Sequence, residues 1–446
     1  MITPRNVCEK AIKLSTADQS EAFCIDAKMR NIYVENGEIK LITDNSWLGL
    51  GVKSIIDNRI GYYSATVKDE EDTENVVKNS IKIAKISPKD PKFKSLPHPR
   101  SMSGSVQDVY DEELVNIEVE EIRERISTLI NSAQTNDVRV MTGLLRLIKF
   151  NFTVMNSLGV DFSHRGTIVY LHFTAKRGKG EGVVKRFSTK LNQIDFQDAG
   201  EELREKTLSA SEAEAFRGKE ELEVIVEPME LQGLLNVITT ASNGEYINRK
   251  MSPWIGKLGE RVATEALTVI DDGRISGGLR SALADDEGVP TTRKFIIEKG
   301  ILKSYLFDSY NAGIFGTEST GNGFRRGITS VEESHVRPVN CTASNVIILP
   351  GNKSFDTLIE EIDKGVLIRK FAYPQVDPIS GNFGLEIRNA VLIKDGSLDR
   401  PIKHALLTGN MYMALTRITG IGDKLYNVEN FRLPYIRFMG LQLVGM

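Results

Sequence analysis

The sequence predicts an α+β chain: an N-terminal antiparallel sheet with flanking helices, followed by a C-terminal mostly-β domain with antiparallel sheets. Three observations carry that reading. Residues 22–66 alternate apolar and polar side chains about Asn36-Gly37, a strong hairpin signal. Apolar residues at helical spacing are confined to a few bounded windows. Beyond Glu221 most apolar runs are short and separated by Gly and Asp turns.

In chain order, Thr3-Pro4 ahead of Val7, Ala11, Ile12 and Leu14 predicts a capped amphipathic helix. Strands run to Thr66, with Asp57-Asn58 as a second turn. Val76, Val77, Ile81 and Ala84 then fall at helical spacing. The polar run 87–105 holds four prolines and predicts an exposed connector. A helix is expected over Leu114–Ala133, with Ile117, Val119, Ile122, Ile126 and Leu129 on one side. A β-meander follows from Val138 to Thr174, turning at "NSLGVD" and "SHRG". Residues 195–216 predict a further helix with a charged face and a polar link. From Val226 a buried strand ends at Glu227-Pro228 and becomes an apolar helix. The expected organisation is therefore residues 1–95 as an N-terminal α/β segment, 96–215 as a central helix plus meander packed with it, and 216–446 as the mostly-β domain.

The 446 residues are 41% hydrophobic and 26% charged, an ordinary globular balance. Net charge is −3 with Lys and Arg spread along the chain, so no direct nucleic-acid contact is expected. Cys8, Cys24 and Cys341 make neither a disulfide framework nor a C-x-x-C pair, which points to a reducing compartment. The N-terminus lacks the apolar run of a signal peptide, and no window approaches the roughly 20 apolar residues of a membrane span. A cytoplasmic protein with no membrane contact is the expectation.

Several groups could carry chemistry. The five histidines are His98, His164, His172, His335 and His404, no two within five residues of each other. His164 and His172 are expected to flank a turn as a pair without metal. Asp271-Asp272 and Asp285-Asp286-Glu287-Gly288 could hold a hard cation, but their spacing matches no EF-hand, and turn chemistry explains them better. "GTESTGNGFRRG" (Gly316–Gly327) could bind an anion through backbone N–H groups, or be a surface turn; it holds no phosphate-loop or nucleophile-elbow pattern. Cys341 lies six residues after His335, yet "VNCTASN" between apolar strands suits a buried structural thiol.

The stretch "SALADDEGVPTTRKFIIEKGILKSYLFDSYNAGIFGTESTGNGFR" resembles the TldD/PmbA family, once called modulator of DNA gyrase. "NVIILPGNKSFDTLIEEIDKGVLI" and "DPISGNFGLEIRNAVLIKDGSLDRPIKHALLTGNMYMALTRITGIGDK" are similar to its later segments. "IYVENGEIKLITDNSWLGLGVKSIIDNRIGYYSAT" and "MNSLGVDFSHRGT" are similar to its N-terminal half, so the resemblance spans essentially the whole chain. One branch of that family carries an H-E-x-x-x-H helix and a late cysteine that together bind zinc. Here Asn236, Val237 and Ala241 stand at the His, Glu and His positions, and no cysteine follows Cys341. The chain thus resembles the PmbA/TldE branch.

That resemblance implies a non-catalytic subunit that holds no cofactor of its own. Its implied partner is a metal-bearing TldD-like homologue that supplies the zinc, and the pair would process unfolded or extended peptides as a heterodimer. If peptides pass through a shared cleft, Ser319, Thr320, Gly321, Gly323 and Arg325 are the candidate peptide-binding residues. The glycines admit a backbone, the hydroxyls donate or accept, and Arg325 could clamp a carboxylate. Alternatively, Arg325 pairs with Asp285-Asp286-Glu287 and fixes the loop. Two other functions stay open: a stand-alone regulatory protein acting on a DNA topoisomerase system, and a metal-independent hydrolase using Cys341.

Overall fold

A computed structural model describes residues 2–445. Thr3 caps α1 (Pro4–Leu14), its hydroxyl accepting from the Asn6 N–H, and Pro4 stands where no intrahelical donor is needed. β1 (Gln19–Glu35), β2 (Glu38–Ile56) and β3 (Arg59–Thr66) follow. Asn36, Gly37, Asp57 and Asn58 at their turns all adopt positive φ, which Asn, Asp and Gly tolerate best. Next come α2 (Glu70–Ile86), α3 (Glu112–Asn116), α4 (Val119–Ala133), β4 (Arg139–Asn156), β5 (Asp161–Arg177), β6 (Gly180–Ser188) and α5 (Phe196–Glu212). The strands form one antiparallel sheet in the order β3-β2-β1-β4-β5-β6.

The parity of β1 divides its two faces, because successive side chains point to opposite sides of a sheet. Ala22 and Cys24 pack with residues of α1 and α2, and Ile32 and Val34 with residues of α4 and α5. Phe23, Ile25, Ala27 and Met29 point the other way, into a core shared with Leu279, Ala282, Ala284, Ile328 and Val331. The helices therefore cover one face of the sheet and the second half of the chain covers the other.

Three expectations are corrected here. The helix over 114–133 is broken, since Ile117 and Glu118 are extended between α3 and α4. "SHRG" is no turn but lies inside β5, and the chain reverses once, between Asn156 and Asp161. Gly166 is needed there because a Cβ would come within 2.5 Å of the Phe150 ring. The proline-rich connector is not wholly exposed: Phe93 and Leu96 are buried with Ile55, and the Leu96 N–H donates to Gln19 at 2.9 Å.

The second half opens with β7 (Glu214–Ala215), β8 (Lys219–Val226), α6 (Pro228–Ala241) and α7 (Gly244–Asn248). β9 (Val269–Asp272), β10 (Arg293–Glu298), β11 (Ile301–Leu302), α8 (Ser309–Phe315), β12 (Gly323–Phe324), β13 (Asn340–Cys341) and β14 (Val346–Ile348) follow. The chain closes with α9 (Phe355–Glu360), β15 (Lys364–Phe371), β16 (Asn382–Lys394), β17 (Ser397–Lys403), β18 (Ala405–Asn410), α10 (Met411–Leu415), β19 (Ile418–Ile421), β20 (Tyr426–Val428), β21 (Phe431–Leu433) and β22 (Ile436–Gly445).

Pairing runs β15-β8-β22-β18-β16, and β16 also pairs with β15, so the path closes into a small barrel without free edges. A second sheet has the order β11-β10-β9-β14-β21-β20. Most pairs are antiparallel, as expected, but β15–β8, β17–β7 and β14–β21 are parallel. In this region, where short strands separated by turns are expected, residues 309–315 instead form the helix α8, because the Asp308 side chain accepts from the Asn311 N–H and starts it. Among the described residues, no helix is long and apolar enough to cross a membrane.

Candidate functional site

The acidic turn 285–288 and the glycine loop 316–327 are built against each other. Asp285 accepts from the Glu287 and Val289 N–H groups of its own turn and from the Gly323 N–H at 2.8 Å. Asp286 accepts from the Arg325 and Arg326 N–H groups and pairs with the Arg326 guanidinium at 2.6 Å. Ser319 and Thr320 turn their hydroxyls onto the Phe307 carbonyl at 3.0 and 3.2 Å. A Cβ at Gly321 would lie 2.5 Å from the Pro290 oxygen, and one at Gly323 only 2.3 Å from the Glu287 carboxylate. The glycines thus admit this chain's own turn, whereas the sequence reading had reserved that space for a passing peptide.

Arg325 takes a different place from the one expected. Its side chain is fully buried and donates to Glu21 Oε1 at 2.6 Å, with the guanidinium 4.6 Å from the Phe23 ring centre. Lys53 Nζ lies 3.4 Å from the same Glu21 oxygen. Burial alone would raise the Glu21 carboxyl, but Lys53 and Arg325 outweigh it and hold it below its usual range. The reading of Arg325 as an open clamp for a peptide carboxylate is corrected: in this structure it locks the second half of the chain to β1. Its neighbour Arg326, not Arg325, meets the acidic turn through its side chain. Sequence reasoning missed Glu21 and Lys53. The available signal was a charged residue within the otherwise apolar β1 run "EAFCI".

On α6, Val237 and Ala241 are buried in the largest hydrophobic core beside Leu234, Leu235 and Ile238, while Asn236 is exposed. Valine and alanine carry no donor atom, so these three positions do not fit a zinc ion with its protein ligands. Among the described residues no three His, Cys, Asp or Glu side chains are grouped as a metal would require.

His164 and His172 do not face each other across a turn. Both lie on β5, about 26 Å apart at roughly 3.3 Å per residue. Burial depresses His164 to about 3 and His172 to about 4. Nor do Cys341 and His335 form a pair. Cys341 donates to the Leu306 carbonyl at 2.8 Å and burial raises its thiol far above the usual range, while His335 Nδ1 engages the Glu332 carbonyl. A buried, protonated thiol is a poor nucleophile.

Residues 219–445 match the sequence pattern of the PmbA/TldA metallopeptidase C-terminal domain, and residues 20–84 that of PmbA/TldA metallopeptidase domain 1. The chain belongs to the PmbA/TldD family. A metalloprotease from Methanocaldococcus jannaschii is 27% identical to it, over 92% of this chain and 90% of that protein. Another metalloprotease, from Methanothermobacter thermautotrophicus, is 30% identical over 68% of this chain and 66% of its own length. The crystal structure of TldE from Thermococcus kodakarensis superposes with a TM-score of 0.88, covers 99% of each chain and is 27% identical. A gyrase-modulator candidate from Thermotoga maritima is 22% identical with a TM-score of 0.87, a likeness of fold alone. In this chain α6 packs into the core with side chains that have no ligand atoms at Val237 and Ala241.

Proposed function

We propose that this chain is the metal-free subunit of a two-chain PmbA/TldD metallopeptidase in the cytoplasm, paired with a zinc-bearing homologue that performs the hydrolysis. The observation that carries this reading is the burial of Val237 and Ala241 in an apolar core at the positions where the zinc branch has a general base and a ligand. Zinc hydrolysis requires about three protein ligands and an activated water. The likeness to TldE along nearly the whole chain supports the same reading. This subunit would hold extended peptides beside the partner's metal. Of the loop 319–325, only Ser319 and Thr320 are half-exposed and able to touch them; Gly321, Gly323 and Arg325 would shape the wall from behind.

The test is reconstitution. The lone chain should leave unstructured peptides intact and hold no stoichiometric zinc. With its metal-bearing homologue it should co-purify and support hydrolysis that a chelator stops. Robust cleavage by the lone chain, or failure to associate with any such homologue encoded beside it, would overturn the proposal.

A further inference from the structure

A cleft of about 450 Å³ lies where β2 and the connector meet α7, α8 and the acidic turn. It is within the size range of small-molecule sites. Its lining combines charged side chains, among them Lys53, Glu287 and Asp308, with the apolar Ile60, Phe93, Leu96 and Ile314. Two of its carboxylates are almost completely buried, Glu287 at 3% exposure and Asp308 at 4%. Each has one oxygen engaged by the protein. Glu287 Oε2 accepts from the Ser309 N–H at 2.8 Å, and Asp308 Oδ1 accepts from the Asn311 N–H and Nδ2. Among the described residues, neither Glu287 Oε1 nor Asp308 Oδ2 has a hydrogen-bond donor, and no Lys, Arg or His lies within ion-pair distance of either group, although Lys53 lines the same cleft and its charge pulls both downward. The Ser309 hydroxyl in the same cleft is also buried without a partner.

Buried carboxylates are ordinarily paired, and an orphan calls for an explanation. The nearby cations do not provide it. Lys53 and Arg325 both converge on Glu21, and Glu245 on the rim is paired with Arg249. Asp285 and Asp286 are engaged by backbone N–H groups and Arg326. Burial lifts Glu287 to about 7, with the Asp308 and Glu21 charges adding to the rise and Lys53 opposing it. A positive charge delivered with hydrogen-bond donors would hold Glu287 ionised, and an apolar group attached to it would cover Phe93, Leu96 and Ile314.

We infer that this cleft binds a primary ammonium carried next to a branched apolar group, with Glu287 and Asp308 accepting its hydrogens and Phe93, Leu96 and Ile314 covering the apolar part. An ammonium has three donors, two of which match the two free carboxylate oxygens. Such a group is supplied by the N-terminus of a short peptide or by a free aliphatic amine. The site is built by this chain alone, so it stands or falls separately from the pairing proposed above.

The experiment is calorimetric titration of the lone full-length chain with three probes: the tripeptide Leu-Ala-Ala, its N-acetyl form, and isoamylamine. Leu-Ala-Ala should bind, and acetylation should weaken it at least tenfold. Glu287→Gln, which keeps the acceptor for Ser309, should weaken binding at least tenfold. Ile314→Lys fills the cleft with the chain's own ammonium without touching either carboxylate; it should abolish binding and serves should the Gln variant misfold. Binding of isoamylamine as tight as that of the tripeptide identifies a free amine as the ligand. Tripeptide binding alone identifies a peptide N-terminus. Equal binding of the acetylated peptide, or no heat from either amine at millimolar concentration, would sink the inference.

Discussion

Glu21 is the residue on which the two halves of the chain most directly depend. Its carboxylate lies 1% exposed between Arg325 and Lys53, and removing one partner of a buried pair leaves a charge that the interior cannot solvate. Arg325→Met should therefore cost about 3–5 kcal/mol in urea denaturation. Adding Glu21→Gln to it should recover a large part, because the unpaired charge is then gone. An Arg325→Met protein as stable as the parent would return Arg325 to the list of ligand-facing groups. A second prediction rests on His164, set among Phe150, Phe152 and Phe162. Its ordinary value is 6.5 and in the fold it falls to about 3. The unfolded chain therefore takes up a proton that the folded chain refuses, and stability is complete above pH 6.5 and lost as pH falls below it. Between pH 7 and 5 this group should cost about 1–2 kcal/mol, and His164→Leu should flatten that part of the pH profile. An unchanged slope in the Leu variant would assign the loss to other groups.

At the scale of elements, α6 is a helix whose packing needs no metal. Its stability comes from Leu231, Leu234, Leu235, Val237, Ile238 and Ala241 packing into the core, and none of that burial needs a metal. Restoring the ligand pattern should therefore fail. The triple change Asn236→His, Val237→Glu, Ala241→His puts a carboxylate into an apolar core and should cost about 3 kcal/mol or more. Asn236→His alone, on the exposed side, should stay within about 0.5 kcal/mol. Melting curves and zinc content per chain decide the matter; a well-folded triple variant with one tight zinc would contradict this account. Periodicity made α1, α2, α5 and the β1–β2 hairpin legible from sequence, since each depends on neighbours two to four residues away. The break at Ile117-Glu118 was not, its Ile117 carbonyl being engaged by Arg30 of β1; the start of α8 carried a local signal, the Asp308 cap on Asn311, that apolar periodicity does not register. "SHRG" was misread for a related reason. Gly166 faces the Phe150 ring of the preceding strand β4, and nothing local distinguishes that glycine from one in a turn.

For the whole molecule, the core formed by Phe23, Phe150 and Phe152 with Leu279, Ala284 and Ile328 joins the two halves. Neither half can leave without exposing that surface. The two tryptophans report on it conveniently, one in each half. Trp47 on β2 donates to the Glu332 carbonyl at 3.1 Å, and Trp254 is 3% exposed in the C-terminal core. Single-tryptophan variants, Trp47→Phe and Trp254→Phe, should give coincident urea midpoints by fluorescence, as one cooperative unit requires. Midpoints separated by more than the error of the fits would show that the halves unfold independently.

The amino-acid order by itself determined the period-2 and period-3.6 elements, the Asn-Gly hairpin, the kinship with the PmbA/TldD family and the absence of donor atoms at Val237 and Ala241. Each of these is a property of neighbouring residues or of side-chain type. Only the tertiary structure decided which of two adjacent arginines meets Glu21, 304 positions away along the chain. Closure of β15 onto β16, and two buried carboxylates left unpaired over one cleft, were decided there as well. Those outcomes depend on where packing brings distant segments together. At such sites burial sets the cost of a charge, and only the assembled neighbours determine whether it is offset.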